Sequence, residues 1–173
     1  GKIITNFYNG MNETIEDIKF QSDNKIVVAI NVYYSDYSDY DMALVRYDSS
    51  GNIDTTFGTN GIVKIDINNQ LTLVYKILIL SNDKIVVTGA INMSSIDIYI
   101  LRFNADGSID NTFGSNGNGY NIQDIGVTDY VYDIKLQSDG KIMVLGQQSK
   151  DSGNSNLALI RFNEDGTLDT AFG

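Results

Sequence analysis

Neither cysteine nor histidine occurs among the 173 residues, and these two absences remove whole classes of chemistry. Without them there are no soft metal sites, thiol nucleophiles or imidazole bases, the groups on which most hydrolases depend. A chain without thiols suits the cytosol and the cell exterior alike, so the redox compartment stays open. Arginine is scarce as well, confined to Arg46, Arg102 and Arg161. The 12 basic residues face 22 acidic ones, a formal charge of −10, which repels phosphate backbones and anionic lipid and argues against nucleic acid as a partner. No apolar run approaches the roughly 18 residues of a membrane span. The opening GKIITNFYNG lacks the basic start and apolar run of a signal peptide. Membrane insertion is not expected, and no export signal is present in these residues.

What the chain does contain is a 42% apolar fraction, enough for a buried core, and a repeat. Ile53-Asp54-Thr55-Thr56-Phe57-Gly58 returns as Ile109-Asp110-Asn111-Thr112-Phe113-Gly114 and as Leu168-Asp169-Thr170-Ala171-Phe172-Gly173, at spacings of 56 and 59 residues. The three arginines keep those spacings. Upstream, Gln21-Ser22-Asp23-Asn24-Lys25-Ile26 returns as Ser81-Asn82-Asp83-Lys84-Ile85 and Gln137-Ser138-Asp139-Gly140-Lys141-Ile142. Three units follow, 1–58, 59–114 and 115–173, with Gly1-Lys2-Ile3-Ile4 aligned on Gly61-Ile62-Val63-Lys64.

Within the middle unit, residues 62–67, 73–80, 85–91 and 96–103 form apolar runs rich in Ile, Val and Tyr, bounded by Asn, Asp, Ser or Gly. That pattern reads as strands, and none of the runs has a helical period. The second and third runs are nearly continuous, as in strands covered on both faces. Four short antiparallel strands per repeated unit predict an all-β chain of β-propeller blades, with a β-sandwich or β-prism-like array as the alternatives. Propellers close with about four to eight blades, so three units require further repeats or self-association. A homodimer giving six blades is favoured over a fragment of a longer array.

The stretches 139–146 and 161–173, reading DGKIMVLG and RFNEDGTLDTAFG, resemble the delta-60 repeat, a bacterial β-propeller family, and the resemblance extends over essentially the whole chain. The family usually carries proline before each Asp-Gly turn. This chain has none, and Ser49, Ala105 and Glu164 stand there. The resemblance implies a propeller from a large, secreted or surface-associated bacterial protein, extracellular or at the cell surface, without established catalytic residues.

In an antiparallel meander the connections alternate between two ends. At one end the turns nearly repeat from unit to unit. At the other, the stretches 31–40, 92–95 and 147–156, with 8–13, 68–72 and 123–129, differ in length and chemistry, the usual place for binding residues. There Tyr33, Tyr34, Asp36, Tyr37, Asp39 and Tyr40 combine flat aromatic faces with carboxylates, a composition suited to a glycan or protein partner. The arginines read either as a ring of cations for an anion or as braces, Arg46 to Asp54, Arg102 to Asp110 and Arg161 to Asp169, and the constant separation of eight residues favours braces. Residues 104–110 and 163–169 have the oxygen-rich spacing of calcium loops but no closing glutamate, and an Asx-type turn explains them as well. No metal or cofactor is expected, nor is catalysis. The expected function is a non-catalytic binding or scaffold module, with a purely structural, oligomerising module or a calcium-binding propeller as alternatives.

Overall fold

The structure is a computed structural model and describes residues 1–7, 11–33, 40–93, 95–149 and 153–173. Eleven strands and no helix occur among the described residues, so no helix there is long and apolar enough to cross a membrane. Strands β1 (Asn12–Phe20), β2 (Ile26–Tyr33), β3 (Tyr40–Tyr47) and β4 (Ile62–Ile65) form one antiparallel sheet in chain order. Strands β5 (Thr72–Ile79), β6 (Ile85–Asn92), β7 (Ile96–Phe103) and β8 (Tyr120–Gln123) repeat it. A third meander follows in β9 (Thr128–Leu136), β10 (Ile142–Ser149) and β11 (Ser155–Phe162). One parallel pairing, Ile96 with Thr128, joins the second and third meanders into a continuous sheet. The sheet is not closed, and the arrangement is part of a β-propeller.

The blades are offset by one strand from the sequence units 1–58, 59–114 and 115–173. Ile62–Ile65, the first strand of the middle unit, pairs with β3 of the preceding one, Val45 opposite Ile62 and Met42 opposite Ile65. The ladder continues below, where the Arg46 amide donates to the Gly61 carbonyl at 3.0 Å. The arginine-bearing strand is therefore third in its blade, and the short strand after the Phe-Gly element is outermost. By the same offset the third blade has three described strands where four were expected.

Alternation within each strand divides the core. Met42 and Leu44 of β3 join Val74, Ile77, Ile85, Val87, Tyr99 and Leu101 between the first two blades. Val86, Ile98 and Ile100 point the other way and pack on Val131, Ile134, Ile142, Val144 and Ile160 of the third. The middle blade is thus covered on both sides, which is why its inner strands read as continuous apolar runs. Burying each such aliphatic side chain contributes about 1.5–3 kcal/mol, so the packing of blade on blade is the main source of stability. In every blade the first strand carries a bulge at the same place, as shown by the register shifts of β1, β5 and β9.

Candidate functional site

The most concentrated polar chemistry lies at the end of the blades where β1 turns into β2 and β3 leads to β4. Arg46 projects from β3 and is almost fully buried. Its Nε donates to Asp54 Oδ2 at 2.9 Å, Nη2 donates to Thr56 Oγ1 at 3.3 Å, and the guanidinium lies 4.5 Å from the centre of the Phe57 ring. Lys25, from the β1–β2 turn, reaches the same carboxylate oxygen at 3.3 Å. The next blade repeats the arrangement, with Arg102 Nε on Asp110 Oδ2 at 2.6 Å, Lys84 Nζ on that oxygen at 2.6 Å, and Phe113 beneath the guanidinium at 4.4 Å. In the third, Arg161 Nε donates to Asp169 Oδ2 at 2.7 Å, Lys141 Nζ donates to it at 2.8 Å, and Phe172 lies 4.4 Å beneath.

The local geometry follows from the sequence. Ile53, Ile109 and Leu168 each form a single bridge back to Tyr47, Phe103 or Phe162. The next residue in each case is the aspartate, whose amide donates to the arginine carbonyl at 2.9 Å, so carboxylate and guanidinium necessarily meet. Thr56 and Thr112 donate both amide and hydroxyl to the other carboxylate oxygen. The Thr56 hydroxyl, foremost, and then its amide with Arg46 and Lys25 lower the Asp54 pKa to about 2. Lys141 and then Arg161 bring Asp169 to about 2. At Asp110 burial alone raises the pKa, but Lys84, Thr112 and Arg102 outweigh it and hold the carboxyl well below the ordinary range.

Arg46 and Arg102 also reach beyond their own blades, a contact that the equal spacing of arginine and aspartate does not reveal. Arg46 Nη1 donates to the Ala105 carbonyl in the next blade's turn, and Arg102 Nη1 donates to Glu164 O at 2.8 Å. Beside these, the Gly58 amide donates to Asp106 O at 2.9 Å and the Gly114 amide to Asp165 O at 2.8 Å. The turn glycine must be glycine. Gly107 has φ +90°, and a Cβ there would fall 2.6 Å from Val63 Cγ2 and 2.9 Å from the Phe57 ring. The repeated turn of one blade therefore sits on the phenylalanine of the blade before it.

These turns are Asx-type. Asp106 Oδ1 accepts from the Ser108 amide and hydroxyl at 2.9 and 2.7 Å, and Asp165 does the same with Thr167. Asp110 and Asp169, the last carboxylates of the calcium-like spacing, face ammonium and guanidinium groups and are committed to those donors. The lysines of the brace were legible in the sequence only as part of a repeated turn.

At the other end, Tyr33 closes β2, half-buried, and pairs with Tyr40 at the start of β3. Tyr34, Asp36, Tyr37 and Asp39 lie outside the described residues, as does the side chain of Tyr40. A group absent from the sequence reading gathers here: Asp97, Asp124 and Asp129, each with one oxygen within 4.8 Å of the others'. Nothing in their spacing along the chain marks them.

Antiparallel sheets stacked face to face, each latched to the next through an arginine, a carboxylate and a glycine turn, define a β-propeller repeat protein. The family described as "Domain of unknown function (DUF5122) beta-propeller" matches residues 21–57, 80–113 and 137–172, and the chain belongs to it. Each matched stretch opens at the β1–β2 type of turn and closes at the phenylalanine of the brace. No curated protein and no solved structure matches the chain.

The brace yields a prediction. Replacing Asp110 by Asn leaves Arg102 buried without its counter-charge and should lower unfolding free energy by about 3 kcal/mol in urea titrations. The folded pKa values of Asp54 and Asp169 lie below the ordinary carboxylate value, so the braces contribute fully above about pH 4 and lose their contribution as pH falls towards 2. Melting temperature should drop through that window. A Tm that stays flat from pH 5 to 2 contradicts the assignment.

Proposed function

We propose that the chain is a non-catalytic β-propeller module that binds or scaffolds, part of a bacterial secreted or surface protein, and that its varied end meets a protein or a glycan. The observation that carries this reading is the contrast between the two ends. At the braced end the arginine, lysine and aspartate of each brace are engaged with one another, in the same arrangement from blade to blade. At the opposite end the two blade links differ, 66–71 against 124–127, on a scaffold whose strands repeat. The resemblance of the repeats to the delta-60 pattern supports the bacterial, extracellular setting.

A glycan array probed with the protein, and again with Tyr37→Ala and Tyr40→Ala, tests the ligand. The expected result is a discrete set of bound glycans lost in the double variant. Binding that survives both changes counts against the tyrosine stretch, and an array without any bound glycan counts against a glycan partner.

A second reading, self-association, rests on the end faces of the blade stack. Ile15 and Ile18 face outward from the first blade and are exposed, Ile15 by 75%, whereas Val74 and Ile77 and then Val131 and Ile134, at the same positions, are buried. Leu157 and Leu159 of β11 are exposed too, Leu157 by 74%, while Met42 and Leu44 and then Ile98 and Ile100 are buried there. The two faces are the halves of an interface already made twice inside the chain. Residues 2–5 align with β4 and β8, and Ile3 lies against Gly51 as Val63 lies against Gly107. They fit β11 of a second copy as its missing outer strand, with Ile4 opposite Ala158. Because the chain has no cysteine, Ile4→Cys with Ala158→Cys gives a clean test. Such antiparallel partners are close enough for a disulfide, so oxidation should yield covalent dimers on a non-reducing gel. Monomers only, together with a monomeric mass by light scattering, contradict this reading.

A further inference from the structure

Between the second and third blades, at the end away from the arginines, Asp97 on β7, Asp124 in the β8–β9 link and Asp129 on β9 converge. Asp97 and Asp129 are buried and Asp124 is exposed. Two of the carboxylates are partly satisfied. Asp97 Oδ1 accepts from Ser95 Oγ at 2.5 Å, and Asp124 Oδ1 accepts from the Gly126 amide at 3.1 Å. Asp129 differs: Oδ2 accepts from the Ile125 amide at 3.0 Å, but Oδ1, in a side chain fully withdrawn from solvent, has no hydrogen-bond partner. An unpaired buried carboxylate oxygen is costly. Burial, with the charges of Asp124 and Asp97, raises the Asp129 pKa.

The equivalent place between the first and second blades shows how the fold neutralises this position elsewhere. The registers that pair Met42 with Ile65 and Ile98 with Gln123 align Asp41 with Asp97, Asp66 with Asp124, and Lys64 with Ile122. The registers that pair Thr72 with Ile91 and Asp129 with Gln148 align Thr72 with Asp129. In the first gap Lys64 Nζ lies 2.5 Å from Asp41 Oδ2, and Thr72 Oγ1 donates to Gln70 O at 2.9 Å. In the second gap the ammonium is replaced by an isoleucine packed against the core, and the hydroxyl by a third carboxylate. No ion pair among the described residues reaches any of the three acids.

We propose that Asp97, Asp124 and Asp129 bind one calcium ion. Three carboxylates without nitrogen or sulfur donors select a hard cation, and calcium tolerates an irregular oxygen set completed by water at the exposed Asp124 side. The ion takes the place of the Lys64 ammonium, engages the unpaired Asp129 oxygen and ties the β8–β9 link to β7. The proposal stands apart from the ligand and from self-association. Isothermal titration of the protein with calcium chloride should give one site per chain, and at a hundredfold excess over Kd the Tm should rise by about 5 °C or more. Asp97→Asn should abolish both responses. Asp129→Thr combined with Ile122→Lys copies the first gap and should fold without responding to calcium. Terbium luminescence, sensitised by tyrosine and reversed by calcium, gives a reading on the unmodified chain should a variant fail to fold. No heat and no Tm shift in the unmodified protein overturn the proposal, as does a calcium response retained in Asp97→Asn.

Discussion

The structure depends on a guanidinium held on three sides. A carboxylate eight residues on binds its edge, a phenylalanine ring supports its face, and in the first two blades a carbonyl of the following blade accepts a hydrogen bond from Nη1. Arginine is the residue for this task because its planar fork presents several donors in fixed directions while its face stacks on an aromatic ring. Lysine supplies charge alone, and here it serves as a second cation on the same carboxylate oxygen. With only three arginines in the chain, one per blade, each is used as a fastener. The charge is buried, but buried with partners, and the cost of desolvating it is offset by hydrogen bonds on each side.

The fastener works because of the packing beneath it. A propeller blade has two apolar faces and cannot bury both by itself, so each becomes stable only as a neighbour arrives. The middle blade has two neighbours, and Val86, Val87, Ile98 and Tyr99 are wholly buried. The outer blades have one each, and on their outward faces Ile15, Ile18, Leu157 and Leu159 are exposed where Val74, Ile77, Ile98 and Ile100 of the middle blade are buried. Arg161 repeats the local half of the device, with Asp169 and Phe172, but among the described residues no carbonyl of a following blade receives it. The outward faces of the first and third blades are therefore shaped like the internal interfaces between blades.

Much of this was legible in the sequence. The strand positions, the turn chemistry and the arginine–aspartate register follow from a repeat whose copies agree. The blade boundary did not follow, since 62–65 resembles the start of a unit by similarity and becomes the end of a sheet by hydrogen bonding. The contact from arginine to the next blade was hidden because its acceptor is a backbone carbonyl, Ala105 or Glu164, which leaves no mark on residue type. The Asp97, Asp124 and Asp129 group was hidden for the opposite reason. Asp97 and Asp124 have aspartate counterparts in the first blade, and only the pairing registers show that beside them a threonine and a lysine have become Asp129 and Ile122. Sameness revealed the scaffold, and departures from it mark where a ligand is to be sought.

The central claim is that the arginine element fastens one blade to the next. Amide hydrogen exchange at Gly58 and Gly114, whose protons bond across the gaps between blades, measures it most directly. The account predicts strong protection at both, and in Arg102→Lys a marked loss of protection at Gly114 with Gly58 little changed. Equal protection at Gly114 in the variant and the unmodified protein would contradict it.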